Sequence, residues 1–262
     1  MGVDLVGDLA ALGVEPGDVV MVHASLRAIG PVDGGAAAVV AALDQAVGPA
    51  GSVLMTLGAR DDWDWVNERP EADRPDLLAD AEPFDAAVTP ADPGVGVLAE
   101  VFRTTPGTVV SDHPEGRFGA RGRLAAELIT DVPWDDYYGP GSPLARLVDA
   151  GGTVLRLGAD PDTVTLTHYA EALVDVPDKI RARRARRVVG REDIVWVDTL
   201  DDSNGIAPWG GDGDYFPPLL AAYLATGRPR TGRVGGAPSE LIDAADYVAF
   251  AVDWLAGHLR PA

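Results

Sequence analysis

Cysteine is absent from the 262 residues. That excludes disulfides, thiol nucleophiles and thiolate metal sites. Histidine is almost as scarce, with four residues, so each one is a natural place to look for proton chemistry. Positive charge is in deficit: 21 Lys and Arg stand against 41 Asp and Glu, a formal net charge of −20. A surface of that sign repels phosphate, which argues against nucleic acid as the main partner and favours cationic ligands. Part of the charge also serves solubility alone. No apolar run is long enough to cross a bilayer. The start Met1-Gly2-Val3-Asp4 lacks the basic region of a secretion signal, and Val6 stands where a lipidation signal has Ser or Thr. The expectation is a cytoplasmic protein that contacts neither membrane nor nucleic acid.

What is present reads as alternating strands and helices. Val3 to Leu12 suits a short helix stopped by Gly13. Val19-Val20-Met21-Val22 is a continuous apolar run of the kind found in a buried strand. Asp33-Gly34-Gly35 leads into an alanine-rich helix to Val47, and Ser52 to Leu57 reads as the next strand. These three make a parallel β-α-β unit. Residues 58–93 then lose regularity and carry many carboxylates, with Trp63 and Trp65 near the start. A loop of that length in a compact domain is functional or disordered. Tryptophans beside acids favour a binding loop for an amino-bearing ligand. Gly119 to Ile129 and Ser239 to Leu259 are expected to be helices, the latter with Leu241, Ala245, Val248, Val252 and Leu255 facing inward. The arginine-rich run from Lys179 to Arg191 either meets phosphates or balances charge within the fold, and the second reading is preferred. No repeat, linker or domain boundary is visible, so residues 1–262 are read as one domain.

The stretch Thr163-Val164-Thr165-Leu166-Thr167-His168-Tyr169-Ala170-Glu171 follows the strand from Thr153 to Gly158 and opens a helix. Three residues apart, His168 and Glu171 share a helical face. That spacing suits a general base and its orienting carboxylate, although spacing alone equally fits a surface histidine. Ser25, Ser111 and Ser142 are serines in search of a triad, but no G-x-S-x-G elbow exists. His23, His113 and His168 lie in separate segments without metal-ligand spacing, so no metal is expected. Acyl transfer to an amine needs a base, oxyanion donors and an anion cradle. His168 supplies the first, and the open N–H groups at the Gly34-Gly35 helix start supply the last.

Five further stretches complete a pattern. They are Val22-His23-Ala24-Ser25-Leu26-Arg27-Ala28-Ile29-Gly30, Phe102-Arg103-Thr104-Thr105-Pro106-Gly107, Ser111-Asp112-His113-Pro114, Gly141-Ser142-Pro143-Leu144, and Gly232-Arg233-Val234-Gly235-Gly236-Ala237. Together with the His168 stretch and Asp175-Val176-Pro177, in this order, the chain resembles the aminoglycoside 3-N-acetyltransferases, the antibiotic N-acetyltransferase family. The resemblance implies an α/β single domain with a central mixed sheet flanked by helices, distinct from the GCN5-related acetyltransferases. It implies acetyl-CoA as co-substrate and the 3-amino group of a 2-deoxystreptamine aminoglycoside as acceptor.

On that resemblance His168 is the catalytic base, Glu171 its partner and Thr165 a third member of the network. The cofactor is expected along His23, Ala24, Ser25, Leu26, Gly34, Gly35, Ser111, His113, Ser142, Pro143 and Leu144. Val110 departs from the family's frequent Arg before the serine. Asp61, Asp62, Trp63, Asp64, Asp212 and Asp214 become the candidates for the antibiotic's ammonium groups. Two other readings remain open: an acetyltransferase for a different amine, and a non-catalytic binder of cationic small molecules. Nothing in the sequence fixes an oligomeric state.

Overall fold

Val19-Val20-Met21-Val22 can be apolar throughout only if both faces of its strand are covered, and that requirement places it at the centre of the molecule. The structure, a computed structural model describing residues 3–260, shows this arrangement. The chain begins with α1 (Leu5–Leu12), β1 (Val19–Ala24), the short α2 (Leu26–Ile29), α3 (Gly35–Val47) and β2 (Ser52–Thr56). It continues through α4 (Arg74–Leu77), α5 (Val97–Thr104), β3 (Val109–Val110), β4 (Phe118–Gly122), α6 (Ala125–Ile129) and α7 (Pro143–Asp149). Then come β5 (Thr153–Leu157), α8 (Leu166–Leu173), β6 (Arg181–Arg186), β7 (Val195–Leu200), α9 (Phe216–Leu224), β8 (Arg230–Val234), β9 (Ala237–Asp243) and α10 (Ala244–His258).

The main sheet has the order β3-β4-β2-β1-β5-β9-β8. Its three central strands are parallel, and the outer pairs are antiparallel. Alternation along β1 divides the core. Val20 and Val22 face α1, α3 and α5, while Val19 and Met21 face the layer of α6 to α10. Because β2, β1 and β5 run the same way, their carboxyl ends (Thr56, Ala24 and Leu157) open on one edge of the molecule. That is where crossover segments leave room for ligands.

Three expectations are corrected. Gly119 to Ile129 is not one helix: Phe118–Gly122 is β4, paired with β2, and only Ala125–Ile129 is helical. Gly119 is small because it lies against Phe102 and Leu57, a tertiary demand invisible to local propensity. Likewise, Ser239 to Asp243 belongs to β9, with Leu241 opposite Leu155, and the terminal helix begins at Ala244. The cap was there to read: the Asp243 side chain accepts from the Asp246 N–H at 2.8 Å.

The third correction concerns residues 58–93, which are a built unit rather than an open loop. Two 3₁₀ turns (Asp64–Glu68 and Glu71–Asp73) and α4 pack onto the β6–β7 hairpin. Val66, Leu78, Ala81 and Ala185 form a small third core there, with Trp63 and Trp196 against it. The arginines of β6 take up the acids of this unit. Arg183 meets Glu71 at 2.7 Å. Arg186 reaches Asp64 at 3.0 Å and also pairs with Asp61 and Glu115. On the neighbouring strand positions, Arg184 holds Asp202 at 2.5 Å and Arg181 holds Asp198 at 2.5 Å. The basic run therefore balances charge inside the fold.

Arg186 is the keystone of that set, since its side chain and that of Glu115 are 11% and 9% exposed. Arg186→Met would leave Glu115 buried and unpaired. The expected cost is about 3–5 kcal/mol in urea unfolding. An unchanged midpoint would mean the unit is held by its apolar contacts alone.

Candidate active site

The site grows from the carboxyl end of β5. Gly158 turns the chain there with φ +63°, and a Cβ would stand 2.4 Å from the Ala28 Cβ, so the tight exit requires glycine. A 3₁₀ turn at Pro161–Thr163 follows, and α8 starts at Leu166. Thr165 stands at the head of α8, its hydroxyl 3.3 Å from that of Thr56 at the end of β2. The predicted helix start at Asp160–Thr163 is thus displaced by a few residues, with the 3₁₀ turn in between.

One turn into α8, His168 Nδ1 lies 2.6 Å from Glu171 Oε2. Glu171 is 1% exposed. Its second oxygen, Oε1, accepts the Tyr215 hydroxyl, which in turn accepts the Ile206 N–H at 3.1 Å. With a carboxylate as its partner, Nδ1 carries the hydrogen, and the Nε2 lone pair is left for other work. The ring is packed by Tyr138 and Phe216, each with its centroid 4.9 Å away. Burial pushes the His168 pKa down, but the charge and hydrogen bond of Glu171 outweigh it. Asp202 and Asp214 add in the same direction, so the pKa stands above the ordinary 6.5.

His168 forms part of the wall of two large cavities and of a small crevice beside Asp136 and Ala172. The first large cavity, of about 690 Å³, is lined by Thr56, Gly58, Asp92, Glu115, Tyr138 and Arg184 among others. The second, of about 500 Å³, is lined by Asp162, Asp201, Asp214, Trp209 and Phe216. Asp202 and Ser203 also border both. A histidine shared by the walls of two large cavities is an arrangement that suits a reaction joining two substrates.

The predicted acidic residues divide between these spaces. Asp61, Asp62 and Asp64 line the first cavity, with Asp61 and Asp64 on Arg186 and Asp62 on Arg60 at 3.2 Å. Trp63 lies in an adjoining recess of about 450 Å³ and is stacked on Trp65 at 6.2 Å. Asp214 borders the second cavity and accepts the Phe216 N–H at 2.9 Å. Asp212 is exposed and lines neither.

The predicted cofactor residues do not gather at His168. His23, Ala24, Ser25 and Leu26 end β1 and start α2, where the Ser25 hydroxyl accepts the Ala28 N–H at 3.3 Å. Burial, aided by Arg156, pushes His23 down to about 4, so its ring is neutral. Gly34 and Gly35 are exposed at the start of α3, with φ +86° and +60° and no side-chain cap. Ser111 is buried and accepts the Phe118 N–H at 2.8 Å. His113 is a structural pin: Nε2 donates to the Trp134 carbonyl at 2.8 Å, while Nδ1 accepts from Glu115 and Gly116. Ser142 caps α7 through the Ala145 N–H at 3.2 Å, and Pro143 and Leu144 are in the core. Sequence reading missed Tyr138, Tyr215, Phe216, Asp202 and Arg184 as neighbours of His168. The Tyr137-Tyr138 pair beside Gly141-Ser142-Pro143-Leu144 was its one available signal.

Residues 21–256 match the family described as aminoglycoside 3-N-acetyltransferase. The aminoglycoside N(3)-acetyltransferase VIII of Streptomyces fradiae is 43% identical over 260 residues, covering 96% of this chain and 90% of that protein. Among solved structures, AAC-IIIb in binary complex with CoASH superposes with a TM-score of 0.91 at 40% identity, covering 98% and 97% of the two chains. AAC-VIa bound to sisomicin gives 0.88 at 38% identity, covering 97% of each. Sequence and architecture agree over almost the whole length, and the chain belongs to the aminoglycoside 3-N-acetyltransferase family.

Proposed function

We propose that this protein transfers the acetyl group of acetyl-CoA directly to the 3-amino group of a 2-deoxystreptamine aminoglycoside, with His168 as general base. The observation that carries the proposal is the orientation of His168. Nδ1 is committed to a buried carboxylate, which leaves Nε2 for the junction of two cavities. Relatives that carry the same activity in their names, one neighbour bound to CoASH and another bound to sisomicin support both substrates.

In this reading the acidic walls hold the acceptor's ammonium groups. Asp214 serves in one cavity, and the outer faces of Asp61, Asp62 and Asp64 serve in the other. Asp162, Asp201 and Asp202 join them. The Gly34 amide and the first-turn amides of α3 that follow Gly35 are the fitting contact for the co-substrate's phosphates, the Gly35 N–H itself being held by the Val32 carbonyl at 2.9 Å. The acceptor nitrogen must shed a proton as it attacks the thioester, and Nε2 receives it. Glu171 fixes the tautomer and stabilises the imidazolium that results. Tyr215 holds Glu171 in place from behind. Thr165 ties the head of α8 to β2 and sets the helix at its height above the sheet.

Release of free CoA with gentamicin- and kanamycin-type acceptors tests the activity, and no turnover by folded protein rejects it. His168→Ala is expected to cut kcat by about 100-fold or more, and a rate near wild type would remove His168 from the role of base. The pH profile tests the dyad. A base works when neutral, so the rate should rise with pH through a pKa above 6.5. In Glu171→Gln burial remains and the opposing charge is lost. The acid limb should then move to lower pH while the plateau falls, and a limb that stays in place would break the link between the two residues.

A further inference from the structure

Tyr138 lies flat against His168, with ring planes 7° apart and centroids 4.9 Å apart. The tyrosines around it have their hydroxyls engaged: Tyr137 with Asp202, Tyr215 with Glu171, Tyr247 with Thr167. The Tyr138 hydroxyl makes no hydrogen bond among the described residues. Tyr138 nevertheless lines the 690 Å³ cavity, and the charged groups that bear on its phenol, Asp202, Arg184 and Glu115, line the same cavity. Burial holds the phenol's pKa well above its ordinary value, so it keeps its proton and stays a donor. Arg184, the neighbouring donor, is already spent on the Tyr137 hydroxyl, Asp202 and Ser203.

We propose that Tyr138 is a further catalytic residue, whose hydroxyl donates a hydrogen bond to the thioester carbonyl oxygen as that oxygen becomes negative. The inference rests on the acetyl-transfer reading above. As the amine lone pair forms the C–N bond, the carbonyl π pair moves to oxygen, and Nε2 of His168 takes the N–H proton. The oxygen pair then returns, the C–S bond breaks with its electrons on sulfur, and the imidazolium returns the proton to the thiolate. Tyr138 loses no proton at any point. The base touches the attacking nitrogen, and in the adduct the oxyanion is two bonds from that nitrogen. A donor packed side by side with the base is therefore placed for it. A preorganised donor in a site shielded from water contributes more to the transition state than to the ground state.

The test compares Tyr138→Phe and Tyr138→Leu with the wild type and His168→Ala, using acetyl-CoA and the same acceptors. Phe keeps the stack and removes only an unpartnered hydroxyl, so the thermal midpoint should hold. Its kcat should fall by about 100-fold with little change in KM for either substrate and no movement of the acid limb. Leu removes the stack as well and should also move the limb. A near wild-type kcat in Tyr138→Phe overturns the proposal. A loss confined to the acceptor KM overturns it too, making the hydroxyl an acceptor contact. So does a shifted acid limb in the Phe variant, which would make Tyr138 a positioning residue acting through His168. A wild type without turnover, or a fully active His168→Ala, is instead the failure of the underlying reading and takes the proposal with it.

Discussion

The hydrogen bond between His168 and Glu171 is the constraint around which this edge of the molecule is arranged. A carboxylate 1% exposed to solvent carries a large desolvation cost unless its oxygens are satisfied. Here each oxygen has a partner, the imidazole on one side and Tyr215 on the other. Tyr215 immediately precedes α9, so the helix and the loop before it must dock for the carboxylate to be tolerated. The main-chain N–H of Ile206 binds the same phenol and brings the acidic loop after β7 into the arrangement. The dyad thus ties α8, α9 and that loop together, and the cavities on either side are what this packing leaves open.

The charge imbalance has a comparable order. Much of the −20 lies in segments that close on the β6 arginines. Period-2 alternation sends Arg184 and Arg186 to the cavity side, while Arg181 and Arg183 pair with Asp198 and Glu71. Each cavity-side arginine fixes carboxylates in position without neutralising the wall. Arg186 alone faces three. The remaining negative charge is what a polycation would meet. Rigid placement also means that less side-chain entropy is lost when a ligand arrives.

Legibility in the sequence followed the range of the physics involved. The β-α-β start was readable because apolar runs, alanine content and glycine stops act over a few residues, and each matches an observed element bound. The His168–Glu171 contact was readable because a helix converts a spacing of three into proximity. β4 and β9 were not readable. Their residues are chosen by neighbours far along the chain: Gly119 by Phe102 and Leu57, Leu241 by Leu155. The unit at 58–93 escaped for a similar reason, since its core is completed by Ala185 and Trp196 from the hairpin. Ser111, His113 and Ser142 each carry a structural bond as well. Their place in a motif suggested ligand contacts, and the structure adds what no local pattern announced for all three, a side chain bonded to a backbone group that holds a turn or helix start. Tyr138 carried only its place in the Tyr137-Tyr138 pair, because stacking on His168 depends on how the connection before α7 folds back over α8.

Under the proposed reaction, the raised basicity of His168 answers a difficulty that the acidic walls would create. Carboxylates that attract a polycation also favour its charged form, so they raise the pKa of every bound ammonium and make the neutral, attacking amine rarer. A base left at the value set by burial alone would be too weak to draw off that proton. Asp202 and Asp214, which border the cavities, also push the imidazole upward, in concert with Glu171. In that reading, the field that makes the acceptor harder to deprotonate also strengthens the base proposed to deprotonate it. The two shifts have the same sign because they have the same source. The difference between the two pKa values then depends less on the wall charge than either value does. Glu171 is the group whose contribution falls on the base through a direct hydrogen bond, and that asymmetry favours proton transfer from nitrogen to nitrogen.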